Sequence, residues 1–128
     1  METKVLIQYA DSLWSKLICN EFGGRCIACG GPAEDAHHWK FGRSIRKYRW
    51  NLNNGVWMCR EDHSHLDSWR YGSKFGSIVM MNCPEKWVWG ENLPPLKVEP
   101  FGHYKIQCQY EFLKAEALRV GLLKGEPK

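Results

Sequence analysis

Between Arg25 and Asp67 the chain gathers side chains that bind metals or move protons. Cys26 and Cys29 form a C-x-x-C knuckle, Cys59 supplies a third thiol, and Asp62 follows it by three residues. The adjacent pair His37–His38 sits between the knuckle and Cys59; His63 and Asp67 come after it, one helical turn apart. Three of the six cysteines and four of the five histidines fall in this stretch, a density of soft and borderline ligands that core packing does not explain. It reads as two metal sites, one of which holds the fold together. Zinc commonly takes four ligands from Cys, His or carboxylate. Cys26, Cys29 and Cys59 are three; the fourth is Asp62 or a nearby histidine such as His65. Asp62 is preferred, because it keeps the knuckle spacing and leaves His63 for the other metal.

The same stretch is basic. Lys40, Arg43, Arg46, Lys47 and Arg49 lie close to the histidine pair, although the net charge of the chain is only +4. Such clustering is the electrostatic footprint of phosphate contact. Its position between candidate metal ligands favours that reading over a solvated basic loop, and cations this close repel one another without an anionic partner. Tyr48 and Trp50 are interleaved with them and can stack on bases, though Trp50, beside an expected strand, is better read as core. The 128 residues suffice for one domain with a modest core, and neither an internal repeat nor a domain boundary is visible. No apolar run approaches the ~20 residues of a membrane span, and the N-terminus lacks the pattern of a signal peptide. The expectation is a cytoplasmic protein without a membrane partner, in which the knuckle binds metal rather than forming a disulfide. A secreted disulfide protein fails on both counts.

The elements that must position these residues are short. Met1–Ala10 is ambiguous: Val5, Ile7 and Tyr9 alternate like a strand, whereas Leu6, Tyr9, Leu13 and Leu17 fit one helical face. Asp11 or Ser12 can cap a helix over about 11–21, with Leu13 and Leu17 inward, and Gly23–Gly24 ends it. Cys19 on that helix reads as a buried free thiol. Short strands are expected at 36–39 and 56–58, with a loop over 41–50 between them and a helix over about 61–70 after them. Residues 71–77 read as a mobile Gly/Ser-rich stretch, and 78–81 as a strand or short helix. Pro84, Pro94, Pro95 and Pro100 argue against a long regular element over 83–100, where Trp87 and Trp89 read as core cover. From 103 to about 121, Ile106, Tyr110, Leu113, Ala117 and Val120 mark an amphipathic helix ended by Gly121 or Gly125.

The central stretch resembles the HNH endonucleases, the ββα-metal nucleases, through His37–His38, Asn54, His63 and Asp67. Cys26, Cys29 and Cys59 resemble the zinc-containing branch, with Asp62 standing where that branch usually has a fourth cysteine. The wording around Asp11–Lys16, Ala36–His38 and Arg49–Val56 is similar to phage-encoded HNH proteins associated with recombination, the Rap-like group. The resemblance implies an α+β fold: a zinc-stabilised ββα-metal core over about 25–70, flanked by N- and C-terminal helices. It implies a DNA phosphodiester hydrolase with a catalytic divalent ion, Mg2+ or Mn2+, besides a structural Zn2+, and a recombinase or other phage DNA-processing protein as a partner. His38 would be the general base, and His37, His63 and Asp67 would hold the catalytic ion. Asn54 would pin the loop that carries the base. Adjacency alone leaves open whether His37 and His38 exchange roles. The second reading is a zinc-stabilised DNA- or protein-binding module, derived from the HNH fold, whose nuclease site has decayed.

Overall fold

A computed structural model of the chain describes residues 1–60, 73–97 and 99–123. The first element, α1, is a helix over Thr3–Phe22. Its buried stripe of Leu6, Ala10, Leu13, Trp14, Leu17 and Ile18 follows helical spacing, and that stripe overrides the strand-like alternation of Val5, Ile7 and Tyr9. The helix therefore starts a full two turns before the expected 11–21, and Asp11 lies in its interior rather than at its cap. Tyr9, which fits both the strand alternation and the helical face, is exposed. At the other end Gly23 turns left-handed at φ 61, donating its N–H to Asn20, while the Gly24 N–H reaches the Cys19 carbonyl. Cys19 is half-buried.

Two strands follow, β1 over Asp35–His38 and β2 over Gly55–Met58. They pair antiparallel, Asp35 opposite Met58 and His38 opposite Gly55. The connection between them is ordered by a four-residue helix, α2, over Arg46–Arg49 and a 3-10 turn over Leu52–Asn54. The 41–50 segment is thus not wholly a loop. The Asn51 side chain caps the 3-10 turn, accepting the Asn53 N–H at 2.9 Å. Where the turn enters β2, the sheet presses on α1: a Cβ on Gly55 would stand 2.5 Å from Ile18 Cδ1 and 2.6 Å from Trp14 Cζ2. Only glycine allows that approach.

The second half of the described chain is helical. Ser73–Asn82 forms α3, Pro84–Glu91 forms α4, and His103–Arg119 forms α5. The helix α3 replaces both the mobile stretch expected from Ser73 onward and the strand alternative for 78–81. Four prolines did not prevent α4, because Pro84 sits in its first turn, where a missing N–H leaves no bond unmade. The chain closes α5 at Gly121 (φ 81), where the Leu122 N–H bonds the Ala117 carbonyl at 2.8 Å. Gly125 and the helix expected over 61–70 lie outside the described residues.

The core has two parts. In one, α1 packs on α5, with Ile106, Leu113 and Ala117 against the α1 stripe and with Trp50 and Trp57. In the other, Ile27, Trp39, Val56, Met58, Phe75 and Val79 pack around the knuckle residue Cys26, with Trp87 and Trp89 covering them as expected. The architecture is mixed α+β, helices around a two-stranded sheet. Among the described residues no helix is long and apolar enough to cross a membrane.

Candidate functional site

The knuckle forms because its backbone closes on itself. The Cys26 N–H bonds the Gly31 carbonyl at 2.8 Å, and the Gly30 N–H bonds the Cys26 carbonyl at 2.9 Å. Gly30 takes φ 73 to complete the turn. The turn lifts Cys26 and Cys29 toward Cys59 at the end of β2, and the three sulfurs lie within 4.8 Å of one another. The Cys29–Cys59 Sγ separation is 4.0 Å. That is far beyond a disulfide bond of about 2 Å. It is close to the S···S spacing of about 3.8 Å that a tetrahedral ion with metal–sulfur bonds of about 2.3 Å imposes. The Ala28 N–H points at Cys26 Sγ at 3.3 Å. Three convergent soft donors suit zinc. Asp62 and His65, the two choices for a fourth ligand, lie outside the described residues, as do His63 and Asp67.

Strand alternation sends the paired histidines to opposite faces of β1. His37 is buried and stacks on Phe75, ring centroids 5.4 Å apart, on the α3 side. His38 turns toward α1 and stacks on Trp14 at 4.2 Å and 10°. Its Nε2 meets the Arg49 backbone carbonyl at 2.8 Å. A carbonyl only accepts, so Nε2 carries the proton, and in the neutral ring the lone pair is at Nδ1. Burial, reinforced by the charges of Arg43 and Arg49, holds the His38 pKa below its ordinary value against the opposing pull of the Arg49 carbonyl and Asp11. The ring is therefore neutral at physiological pH, in one tautomer.

Asn54, fully buried, uses its whole carboxamide on the loop. Nδ2 donates to the carbonyls of Phe41 (2.8 Å) and Tyr48 (3.1 Å), and Oδ1 accepts the N–H groups of Lys40 (3.0 Å) and Phe41 (3.1 Å). The loop that carries the Arg49 carbonyl is thus tied to the start of β2.

The five loop cations do not lack acidic or carbonyl partners, contrary to the repulsion argument from sequence. Arg49 binds Asp11 through Nε (3.1 Å) and Nη2 (2.7 Å), and Arg43 reaches the same carboxylate at 3.2 Å. Lys40 and Lys47 lie 3.9 Å from Glu91 and Glu99, and Arg46 donates to the Phe101 carbonyl at 3.2 Å. Repulsion is therefore relieved inside the fold. The two lysine pairs are long and at least partly exposed, a geometry worth about 0–1 kcal/mol. Arg49 is committed to structure.

Asp11 is the residue whose role the sequence concealed. It also accepts Trp50 Nε1 at 2.8 Å. Burial raises its pKa, but the bonds from Arg49 and Trp50 and the charges of Arg49 and Arg43 outweigh that and hold it below the ordinary carboxylate value. Trp14, one turn on, stacks on His38 and donates Nε1 to the Asn51 carbonyl at 3.0 Å. The i, i+3 spacing of Asp11 and Trp14 was the available signal. Lys86 gave none: this buried lysine bonds Glu21 at 2.9 Å and the Leu52 carbonyl at 2.7 Å, joining α4 to α1 and to the 3-10 turn.

Comparison of the chain with protein-family models, curated proteins and solved structures finds no match.

Proposed function

We propose that this protein is a metal-dependent endonuclease of the HNH type that hydrolyses DNA phosphodiester bonds. The observation that carries this reading is the setting of His38: its Nε2 meets the Arg49 carbonyl at 2.8 Å, which leaves Nδ1 as the basic atom, and burial lowers its pKa so that the neutral ring is favoured. Hydrolysis needs an acceptor for a water proton as the oxygen attacks phosphorus, and a neutral imidazole suits that task near pH 7. Asn54 acts at one remove, holding the loop whose carbonyl orients the ring. His37 together with His63 and Asp67 would hold the divalent cation, Mg2+ or Mn2+. When bound, such an ion supplies charge neutralisation at the phosphate and the leaving oxygen. Cys26, Cys29, Cys59 and Asp62 would hold the zinc. Lys40, Arg43, Arg46 and Lys47 face the strand, with Arg49 behind them as an anchor.

Incubation of the purified protein with supercoiled plasmid and with single-stranded DNA tests this. Cleavage is expected with Mg2+ or Mn2+ and not with EDTA. DNA binding without cleavage under any divalent ion would leave the non-catalytic binding module as the better reading.

A further inference from the structure

Beyond the histidines, the loop borders a second feature. Two adjoining clefts, of about 220 and 410 Å³, share Lys47, Glu99 and Phe101 as walls. The first also takes in Arg46 and Lys97, the second Lys105. Four cations from three separate segments therefore surround a single carboxylate. Three of them converge on the short stretch from Glu99 to Phe101: Arg46 on the Phe101 carbonyl (3.2 Å), Lys105 on the Pro100 carbonyl (3.2 Å), and Lys47 beside the Glu99 side-chain carboxylate (3.9 Å). Phe101 lies beneath them, with Lys105 Nζ 5.7 Å above its ring. The first turn of α5, which opens here at His103, carries no acidic residue, so its N–H groups add to the positive potential.

We infer that this groove is a track for the phosphate backbone of a nucleic-acid strand, extending the DNA contact away from His38, with Glu99 occupying the lysine that phosphate would take. The inference rests on the DNA reading proposed above. Continuity supports nucleic acid over an acidic peptide. The helix α2 carries Arg46 at its groove end, while the carbonyl of Arg49, at its other end, accepts His38 Nε2. A strand lying on one is led to the other. Lys97 and Lys105, both exposed, belong to neither the proposed catalytic machinery nor the basic loop.

The test is fluorescence anisotropy with a labelled oligonucleotide, single-stranded and duplex, over a salt series in buffer without chelator and without added Mg2+ or Mn2+. Lys97→Ala combined with Lys105→Ala should weaken binding about fivefold or more at 0.1 M salt and flatten the log–log salt slope by about 0.9 for each duplex phosphate no longer neutralised. Glu99→Gln should act in the opposite direction, tightening binding several-fold, a result that misfolding cannot imitate. If the native protein binds DNA and both variants keep its affinity and slope, the groove is overturned while the DNA reading stands. If the native protein binds no DNA, both are overturned. Competition by polyglutamate as effective as DNA of equal charge would overturn the inference in favour of an acidic protein partner.

Discussion

At the scale of single residues, the order around His38 is maintained by groups that do not touch one another in sequence. The ring is stacked on Trp14, bonded to the Arg49 carbonyl, and that segment is held by Asp11 from α1 and Asn54 from the 3-10 turn. Asn54→Ala removes four bonds from a buried site and leaves their backbone partners unmet, so a loss of at least about 2 kcal/mol is expected. Urea denaturation measures it. Asp11 makes a pH-dependent contribution. Its folded pKa lies below the unfolded value of about 3.9. The stabilisation is therefore complete above that pH and is lost as pH falls through the folded pKa. Asp11→Asn should destabilise the protein by about 1–3 kcal/mol at pH 7, and the gap to the native chain should close in strong acid. A gap of constant size would show that the carboxylate charge is not what Arg49 and Trp50 need.

At the scale of elements, the contact of α1 with the start of β2 sets where the histidine face meets the helix. Gly55→Ala pushes a methyl into Ile18 and Trp14, an overpacking that typically costs about 1–3 kcal/mol; a thermal melt unchanged from the native chain would contradict this close approach. The knuckle, both strands and α5 were legible in the sequence, because each is announced by local signals: ligand spacing, a turn beside a short apolar run, and an i, i+4, i+3 rhythm. What was not legible depends on distant partners. Asp11 resembles a cap until Arg49 and Trp50 are seen to fold onto it. Glu91 and Glu99, which relieve the basic loop, lie far along the chain. Pro84 breaks a helix or begins one according to position alone, and counting prolines does not distinguish the two.

At the scale of the whole molecule, the knuckle is the joint between the sheet and α3. The Ile27 N–H bonds the Trp57 carbonyl at 2.9 Å, and Asn82 Nδ2 donates to the Ile27 carbonyl at 3.0 Å. An ion on Cys26, Cys29 and Cys59 would therefore couple β2 to the helices packed on it. Purified protein should carry about one tightly held zinc per chain. Cys26→Ser should lose it and unfold or precipitate, because removing a ligand removes folding free energy; elemental analysis and circular dichroism decide this, and a stable metal-free fold would contradict it. The nuclease reading itself depends on His38, and its most direct test is single-turnover DNA cleavage by His38→Ala in saturating Mn2+, with DNA binding measured in parallel. A fall of about 10²–10⁴-fold in rate with binding retained is expected; cleavage at the native rate would show that His38 is not the base.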